Sequence, residues 1–411
     1  MNLLFKNRIY RYLTLSRFFN TMGSALYNIV FIVYAANCFH SNLIVGMANI
    51  IMVLPSLFTV FVGIKADNTI NKDKYLILCG FIQAILFTLV ALIINQATLF
   101  IFSTVSLINI ISDILSDYSN GLKMPMIQKH VAQKDLIEAY SFTQLITFIC
   151  SLTGQAIGVW LLTFSNNNFS QVALINALSF LISVGLLFPI VKKLDYNRVS
   201  RGSHRPKGLV KEIIPIFTQI KRLFDQSTHS NFIHLLIAVL LLNALGGSTT
   251  AIYNIFLLKE NLFNLSYSQA LLVVEAITVS GILLASLRPY DYFSQLSIGQ
   301  LLKVTATIFI LMGLANFLHL PVIVGLSFLG FAAYLSGKIN PKINALLLSR
   351  VPSHLLARTS NFLSLLFTLS IPLGTGIYSL ISAWNMSMTW LLFTSTAGLI
   401  TLLSISENND Q

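Results

Sequence analysis

Charged residues are scarce in this chain. Asp, Glu, Lys and Arg make up 10% of its 411 residues, whereas hydrophobic residues make up 55%. A soluble globular domain carries roughly a quarter charged residues. The deficit therefore excludes an ordinary soluble enzyme or binding module and places the chain in the membrane class. Acidic residues are scarcer than basic ones, with 14 Asp and Glu against 26 Lys and Arg.

Cysteine is also scarce. Cys38, Cys79 and Cys150 each lie in or beside an apolar run. Their spacing matches neither a metal-ligand set nor a redox pair, so packing between helices is the expected role. The sequence carries no nucleotide-binding motif, which excludes ATP as the direct source of energy. We therefore expect no cofactor and no metal.

Long apolar runs, by contrast, are abundant. A helix needs about 20 mostly apolar residues to cross a bilayer, and twelve segments qualify. A polar stretch at 192–222, with nine Lys and Arg residues, separates the first six from the last six. We expect an N-terminal six-helix bundle at 1–191, a cytoplasmic linker with an amphipathic helix at 192–228, and a C-terminal six-helix bundle at 229–411. The predicted spans are 13–37, 42–64, 76–95, 98–120, 138–163, 169–190, 231–258, 267–287, 298–317, 320–347, 354–382 and 386–405.

The two halves repeat one pattern in the same order. Such a repeat predicts an all-α integral membrane protein, with twelve transmembrane helices in two parallel six-helix pseudo-repeats. The matching residues are Asn20, Gly23, Tyr27 and Asn28 with Asn243, Gly246, Tyr253 and Asn254, and Val131, Leu136, Phe142 and Gly154 with Val351, Leu356, Phe362 and Gly374.

Basic residues are distributed asymmetrically. If both termini lie inside the cell, the outer links carry one of the 26 Lys and Arg residues, Lys259. The positive-inside rule then predicts a multi-pass protein of the inner (plasma) membrane with both termini cytoplasmic. The same placement accounts for the net charge of +12 without nucleic acid as a partner. We expect a monomer embedded in the lipid bilayer.

The link after the second span carries a recognisable pattern. Gly63, Asp67 and Lys72 resemble the helix 2–helix 3 signature of the major facilitator superfamily. The resemblance implies a cytoplasmic gate that these three residues form with Arg358 of the second half, because an acid there can meet the positive end of a helix dipole. The alternative is a solvated turn of mixed charge. The sequence departs from the family at Asn68, Ile70 and Asn71, where Arg, Gly and Arg are usual.

A second resemblance concerns the subgroup. The stretch VAQKDLIEAYSFTQ at 131–144 and the short central loop look like the macrolide-efflux type of drug exporter. This resemblance implies a protein that is not an enzyme and that exports an amphipathic small molecule by alternating access, driven by protons. The Arg that many proton antiporters carry on helix 4 is absent, and Ser112 and Asp113 occupy that region.

Two carboxylates inside the predicted spans are candidates for proton coupling. Glu275 lies about 12 Å from the predicted outer end of its span, near mid-bilayer. Asp113 lies on the fourth span, one turn before Asp117. A carboxylate inside a membrane is costly and usually faces a cavity or a partner. The alternatives are a packing role for Glu275 and an ion pair of Asp113 with Lys65 or Lys123.

The remaining polar residues of the spans are amides and hydroxyl-bearing aromatics, and His234 and Lys338 are expected to extend to the nearer interface. Neutral polar groups fit an amphipathic solute better than a highly charged metabolite. An uptake facilitator or uniporter of the same fold remains the alternative function. The predicted cavity residues are Asn20, Tyr27, Asn28, Gln144, Asn243, Tyr253 and Asn254.

Overall fold

The computed structural model describes Leu4 and residues 6–191, 232–288, 290–350 and 353–405, and every regular element in these ranges is helical. Helix α2 has two segments, Asn42–Val53 and Thr59–Asn68, joined by a 3₁₀ segment at Leu54–Phe58. The predicted linker at 192–228 lies outside the described residues. The other long helices are α1 Arg8–Phe39, α3 Lys72–Ile93, α4 Leu99–His130, α5 Leu136–Phe164, α6 Phe169–Gly185, α7 Phe232–Phe256, α8 Tyr267–Leu287, α9 Ile298–Phe317, α10 Val322–Arg350, α11 Ser353–Trp384 and α12 Met386–Ile405. Two short segments lie in the links, a 3₁₀ turn at Gln133–Asp135 and a helix at Tyr292–Gln295.

Polar residues at the helix ends satisfy the free backbone groups. The Asn7 side chain accepts a hydrogen bond from the Tyr10 amide at the start of α1. Ser297 and Gln300 form a reciprocal capping box at the start of α9. Asn166 and Asn167 have φ angles of 52° and 61° in the short α5–α6 link, a left-handed conformation that asparagine tolerates. These local signals explain why the helices begin and end near the predicted positions.

The predicted all-helical membrane fold is confirmed. Within the described residues, ten helices are long and apolar enough to cross a bilayer, and α2 and α6 are shorter apolar helices. Pro55 lies in the 3₁₀ segment that interrupts α2, since proline cannot donate the backbone hydrogen bond of a continuous helix. Pro125 and Pro341 do not end their helices: α4 continues to His130 and α10 to Arg350.

Large apolar side chains remain exposed on the helix surfaces. Leu92, Phe100, Leu287 and Trp384 are each between 73% and 79% exposed. Soluble monomers rarely show so much continuous apolar surface. A lipid bilayer is the environment that covers such a surface.

The described residues form two compact units, and the first six residues of α8, Tyr267–Leu272, group with the first unit. Equivalent helices pack together in each unit: α1 on α5 and α3 on α6 in the first, α7 on α11 and α9 on α12 in the second. Glycines at equivalent positions allow two of these contacts. A Cβ built on Gly154 of α5 lies 2.9 Å from the Met22 carbonyl oxygen of α1, and one on Gly374 of α11 lies 2.6 Å from the Ala244 carbonyl oxygen of α7. The two pseudo-repeats expected from the sequence thus share their packing.

Candidate functional site

A buried polar seam, formed by Asn20, Gln83, Ser112 and Ser116, joins α1, α3 and α4 in the first unit. Asn20 Nδ2 donates to Gln83 Oε1 at 3.4 Å, and the Ser116 hydroxyl donates to Asn20 Oδ1 at 2.9 Å. Gln83 Nε2 donates to the Ser112 carbonyl oxygen at 3.0 Å. Asn20 is 2% exposed and Gln83 is 0% exposed. The seam therefore satisfies Asn20 inside the bundle, which gives this predicted cavity residue a structural role.

The two acids of α4 lie beside α2. The Thr59 hydroxyl donates to Asp117 Oδ2 at 2.9 Å, just after the 3₁₀ segment that interrupts α2. Both Asp113 and Asp117 are partly buried. Within the described residues, Asp113 makes no ion pair within 4 Å with Lys65 or Lys123, so that alternative is not formed in this structure.

Basic side chains also lie inside the first unit. Lys123 of α4 is 1% exposed. Arg17 of α1 is partly buried, and its Nη2 donates to the Thr147 hydroxyl of α5 at 3.3 Å. Its Nε and Nη1 atoms are buried without a hydrogen-bond partner. Arg17 lies nine residues inside α1, well away from the end of the helix.

The predicted gate residues lie around the α2–α3 link. Asp67 is in the last turn of α2, and Arg358 is in α11, but both side chains lie outside the described part of the structure. Lys72 begins α3, is 1% exposed and donates through Nζ to the Ala66 carbonyl oxygen at the end of α2. No atom lies within 4 Å of a Cβ built on Gly63.

A different glycine makes the close contact in this region. A Cβ built on Gly121 of α4 lies 2.9 Å from the Ala66 Cβ of α2. Gly121 thus supplies the close α2–α4 packing beside the predicted gate. The gate role of Gly63, Asp67, Lys72 and Arg358 stays a prediction.

The second unit contains a cavity of about 260 Å³ among α7, α8, α9, α10 and α11. Asn243, Thr249, Thr278 and Ser336 contribute its polar side chains, and none of its lining residues is charged. Of the predicted cavity residues in this unit, Asn243 lines it. The apolar part of the wall comes from Leu242, Ile282, Phe309, Leu329, Ala333, Ile339 and Ile371.

The paired tyrosines of the repeat are packed in the cores of their units. Tyr27 is 1% exposed and lies edge-on to Phe87, with ring centroids 4.6 Å apart. Tyr253 is 0% exposed, lies edge-on to Trp390 and accepts a hydrogen bond from Asn316 Nδ2 at 2.9 Å. Packing in the core of each unit explains why a tyrosine recurs at these equivalent positions. Contact of these tyrosines with a solute stays a prediction.

The other predicted site residues occupy helical positions. Asn28 is partly buried on α1, and Asn254 is 6% exposed on α7. Glu275 is partly buried near the middle of α8. Gln144 lies on α5, but its side chain is outside the described part of the structure.

An ion-pair cluster closes the α8–α9 connection in the second unit. Lys338 Nζ of α10 lies 2.8 Å from Asp291 Oδ1, and it also donates to the Arg288 carbonyl oxygen at 2.7 Å and to the Ser294 hydroxyl at 3.0 Å. Burial raises the pKa of the Asp291 carboxyl, but hydrogen bonds from Lys338, Ser294 and Tyr334 outweigh this effect and hold the pKa below its ordinary range. Lys338 is 7% exposed. The cluster thus gives the Lys338 ammonium group three partners, and its extension to the nearer interface stays a prediction.

These features agree with one family across most of the chain. The family model described as Major Facilitator Superfamily matches residues 13–375. The chain belongs to the major facilitator superfamily. It is thus a membrane transporter by family, and its all-helical fold of two six-helix pseudo-repeats is the fold of that family.

Solved transporter structures share this major facilitator fold. The nucleoside transporter NupG is 15% identical, with a TM-score of 0.69 over 98% of this chain and 100% of its own. A POT family transporter in complex with 5-aminolevulinic acid is 16% identical, with a TM-score of 0.69 over 97% and 96%. A bacterial homologue of the human lysosomal transporter Spinster is 14% identical, with a TM-score of 0.64 over 98% of both chains. At these identities the likeness shows the fold alone. No curated protein sequence matches the chain.

Three features of this transporter were not predicted from its sequence. The sequence does carry a signal for Gln83, because it is a polar residue inside the apolar run of α3. Arg17 also had one, because it lies four residues inside the predicted first span. Asp291 had none, because a single acid in a short link does not indicate which lysine it meets.

Proposed function

We propose that this major facilitator protein exports amphipathic small molecules by alternating access and that protons drive the export. The carrying observation is the cavity of about 260 Å³ in the second unit, whose walls are mostly apolar with four neutral polar side chains. Ligand sites of this composition bury apolar bodies and use a few polar groups for orientation. The resemblance of residues 131–144 to macrolide-efflux exporters supports the direction of transport.

The alternative is uptake of a metabolite by the same fold. The nucleoside transporter NupG and the POT family transporter are structural neighbours whose names indicate other solutes. The uncharged cavity wall favours an amphipathic solute over a highly charged metabolite. Direction is the property that separates export from uptake, so the experiment must measure it.

The proposed roles of the individual residues follow the sequence argument. Glu275 carries the coupled proton because it lies about 12 Å along α8 from Tyr267, near the middle of a membrane span. Asp113 is the second candidate. Gly63, Asp67, Lys72 and Arg358 close the cytoplasmic side. This gate assignment fails if Asp67→Asn leaves the labelling of cysteines in the cytoplasmic cavity unchanged.

Transport in everted and right-side-out vesicles tests the function. Everted vesicles that are acidic inside should accumulate an amphipathic probe such as erythromycin, because protons leave as the probe enters. Right-side-out vesicles that are acidic outside should not accumulate it. Thr278→Val should lower this accumulation several-fold because it removes a hydroxyl from the cavity wall. Accumulation by right-side-out vesicles alone would instead support uptake.

The control for Thr278→Val is Thr307→Val on α9. Thr278 and Thr307 each donate to the carbonyl oxygen four residues earlier, at 2.9 Å in both cases, but Thr307 is exposed and does not line the cavity. If the two substitutions lowered accumulation equally, the cavity would not be the solute site. In the same vesicles Glu275→Gln should abolish uphill accumulation and leave downhill exchange, and loss of uphill transport in Asp113→Asn alone would move the proton to α4.

A further inference from the structure

We propose that Arg17 binds a carboxylate group of the transported solute and that Thr147 positions the guanidinium. The inference rests on the proposed transport function and extends its solutes to amphipathic organic anions. It concerns a site inside the first unit, formed by α1, α4 and α5.

The guanidinium of Arg17 is incompletely satisfied. Arg17 lies about 14 Å along α1 from Arg8, well inside the helix. Its hydrogen bond is the 3.3 Å contact from Nη2 to the Thr147 hydroxyl, and its Nε and Nη1 atoms are buried without a partner. A guanidinium carries five N–H donors, so most of its donor capacity is unused.

Leaving such a group unpaired is costly. Buried polar atoms in native proteins almost always have a hydrogen-bond partner, and a buried charge requires a counter-charge or several acceptors. Among the described residues, no acid lies within ion-pair distance of Arg17. A carboxylate on the solute would supply the hydrogen-bond acceptors and the counter-charge that Arg17 lacks.

The surroundings of Arg17 favour an anion. Among the described residues, the groups that act electrostatically on Arg17 are Tyr10, Cys150 and Lys123, and none of them is a carboxylate that could neutralise it. The polar neighbours Tyr10 and Cys150 direct their hydrogens elsewhere. The Tyr10 hydroxyl donates to the Ala139 carbonyl oxygen at 2.9 Å, and the Cys150 thiol to the Phe18 carbonyl oxygen at 3.7 Å.

Thr147 has the geometry of a positioning residue. Its hydroxyl donates to the Thr143 carbonyl oxygen at 3.0 Å, so its oxygen is oriented to accept from Arg17. The guanidinium is thereby held to α5 through Nη2. Planar guanidinium groups match the two oxygens of a carboxylate better than a lysine ammonium does. Arg17 is partly exposed, but its Nε and Nη1 atoms are buried, so a solute reaches these donors in another state of the proposed transport cycle.

Binding of three indole compounds tests the assignment. Indole-3-acetate, indole-3-acetamide and tryptamine share an apolar ring and carry negative, neutral and positive side groups. Titration calorimetry on the full chain in nanodiscs, without any gradient, should show the acetate binding about tenfold more tightly than the amide. Arg17→Gln should remove this difference, and Arg17→Lys should retain part of it because the charge stays while the planar fork is lost.

Arg8→Gln is the matched control, since Arg8 lies on the same helix, is exposed and contacts the Tyr12 ring. It should leave the advantage of the carboxylate unchanged. An acetate that binds no better than the amide, or an advantage that survives in a monodisperse Arg17→Gln protein, overturns the proposal. Because the measurement requires no transport, a failure to export in vesicles would affect the proposed function and not this site.

Discussion

Two buried lysines show how this transporter accommodates single charged residues inside its apolar bundles. Lys72 is 1% exposed and donates to the Ala66 carbonyl oxygen at the end of α2, where the helix dipole is negative. Lys338 is 7% exposed and pairs with Asp291. In both cases a short link between two helices brings the acceptor to the lysine. Such pairs tie the links to the helices that they connect.

Removing the lysine from the Asp291 cluster should destabilise the second unit. Lys338→Met leaves the Asp291 carboxylate without its cation, which costs about 3 kcal/mol for a largely buried pair. Because the pKa of Asp291 is held below its ordinary range, the stabilisation is complete above about pH 4 and is lost as the pH falls further. Thermal unfolding of the purified protein should show a lower Tm for Lys338→Met, with a difference that shrinks below pH 4.

The control for this change is the exposed pair of Glu260 and His319, which are 3.8 Å apart. Glu260→Gln should leave the Tm unchanged, because exposed pairs contribute little. A Tm of Lys338→Met equal to that of the unmodified protein would show that the cluster is stabilised by its other hydrogen bonds alone.

Helix pairs are the elements in which the internal repeat becomes visible. α1 packs on α5 through Gly154 and Gly158, and α7 packs on α11 through Gly374. Small residues allow helix backbones to approach closely in a membrane, where packing replaces the hydrophobic effect as the driving force. The same solution at equivalent positions explains why Gly154 and Gly374 recur in the two halves.

Two glycines of α11 should respond differently to the same substitution. A Cβ at Gly374 would lie 2.6 Å from the Ala244 carbonyl oxygen and 2.8 Å from its Cα, so α7 and α11 must separate. Gly374→Ala should therefore destabilise the protein by about 1–3 kcal/mol. Gly376→Ala is the control, since no atom lies within 4 Å of its Cβ position, and the better helix propensity of alanine makes it neutral or stabilising by up to about 1 kcal/mol. Thermal unfolding measures both, and equal Tm values would contradict the close α7–α11 contact.

For the molecule as a whole, the distribution of basic residues predicts its orientation in the membrane. The proposed orientation places the basic 192–222 stretch in the cytoplasm and the short α5–α6 link outside. The link contains Asn167, which adopts a left-handed conformation in a tight turn. Orientation decides which unit ends face the cell and therefore which side the proposed gate closes.

Cysteine labelling of sealed cells checks this orientation. In a Cys38→Ala background, an impermeant maleimide should label Asn167→Cys and should not label Ser203→Cys. The background is needed because Cys38 is partly exposed at the end of α1, on the same predicted side as Asn167. Ser203→Cys should react after the cells are permeabilised. Labelling of Ser203→Cys in sealed cells would reverse the topology and the proposed direction of transport.

Helix positions were largely predictable from local sequence. Spans such as 267–287 and 298–317 coincide with α8 and α9, because length and apolarity decide whether a segment enters a bilayer. The interruption of α2 at Pro55 and the continuation of α4 through Pro125 were not predicted. A proline can break or merely distort a helix, and neighbouring helices decide which occurs.

The amino-acid sequence by itself determined the membrane class, the two pseudo-repeats and the family signature at Gly63, Asp67 and Lys72. Those properties depend on composition and on spacing along the chain. Only the tertiary structure decided that the Asn20 amide donates a hydrogen bond to Gln83 and that Lys338 forms an ion pair with Asp291. It also decided that Arg17, near Lys123, has guanidinium donors without a hydrogen-bond partner. Whether a polar side chain is satisfied depends on which helices lie next to it, and that arrangement is a property of packing rather than of local sequence.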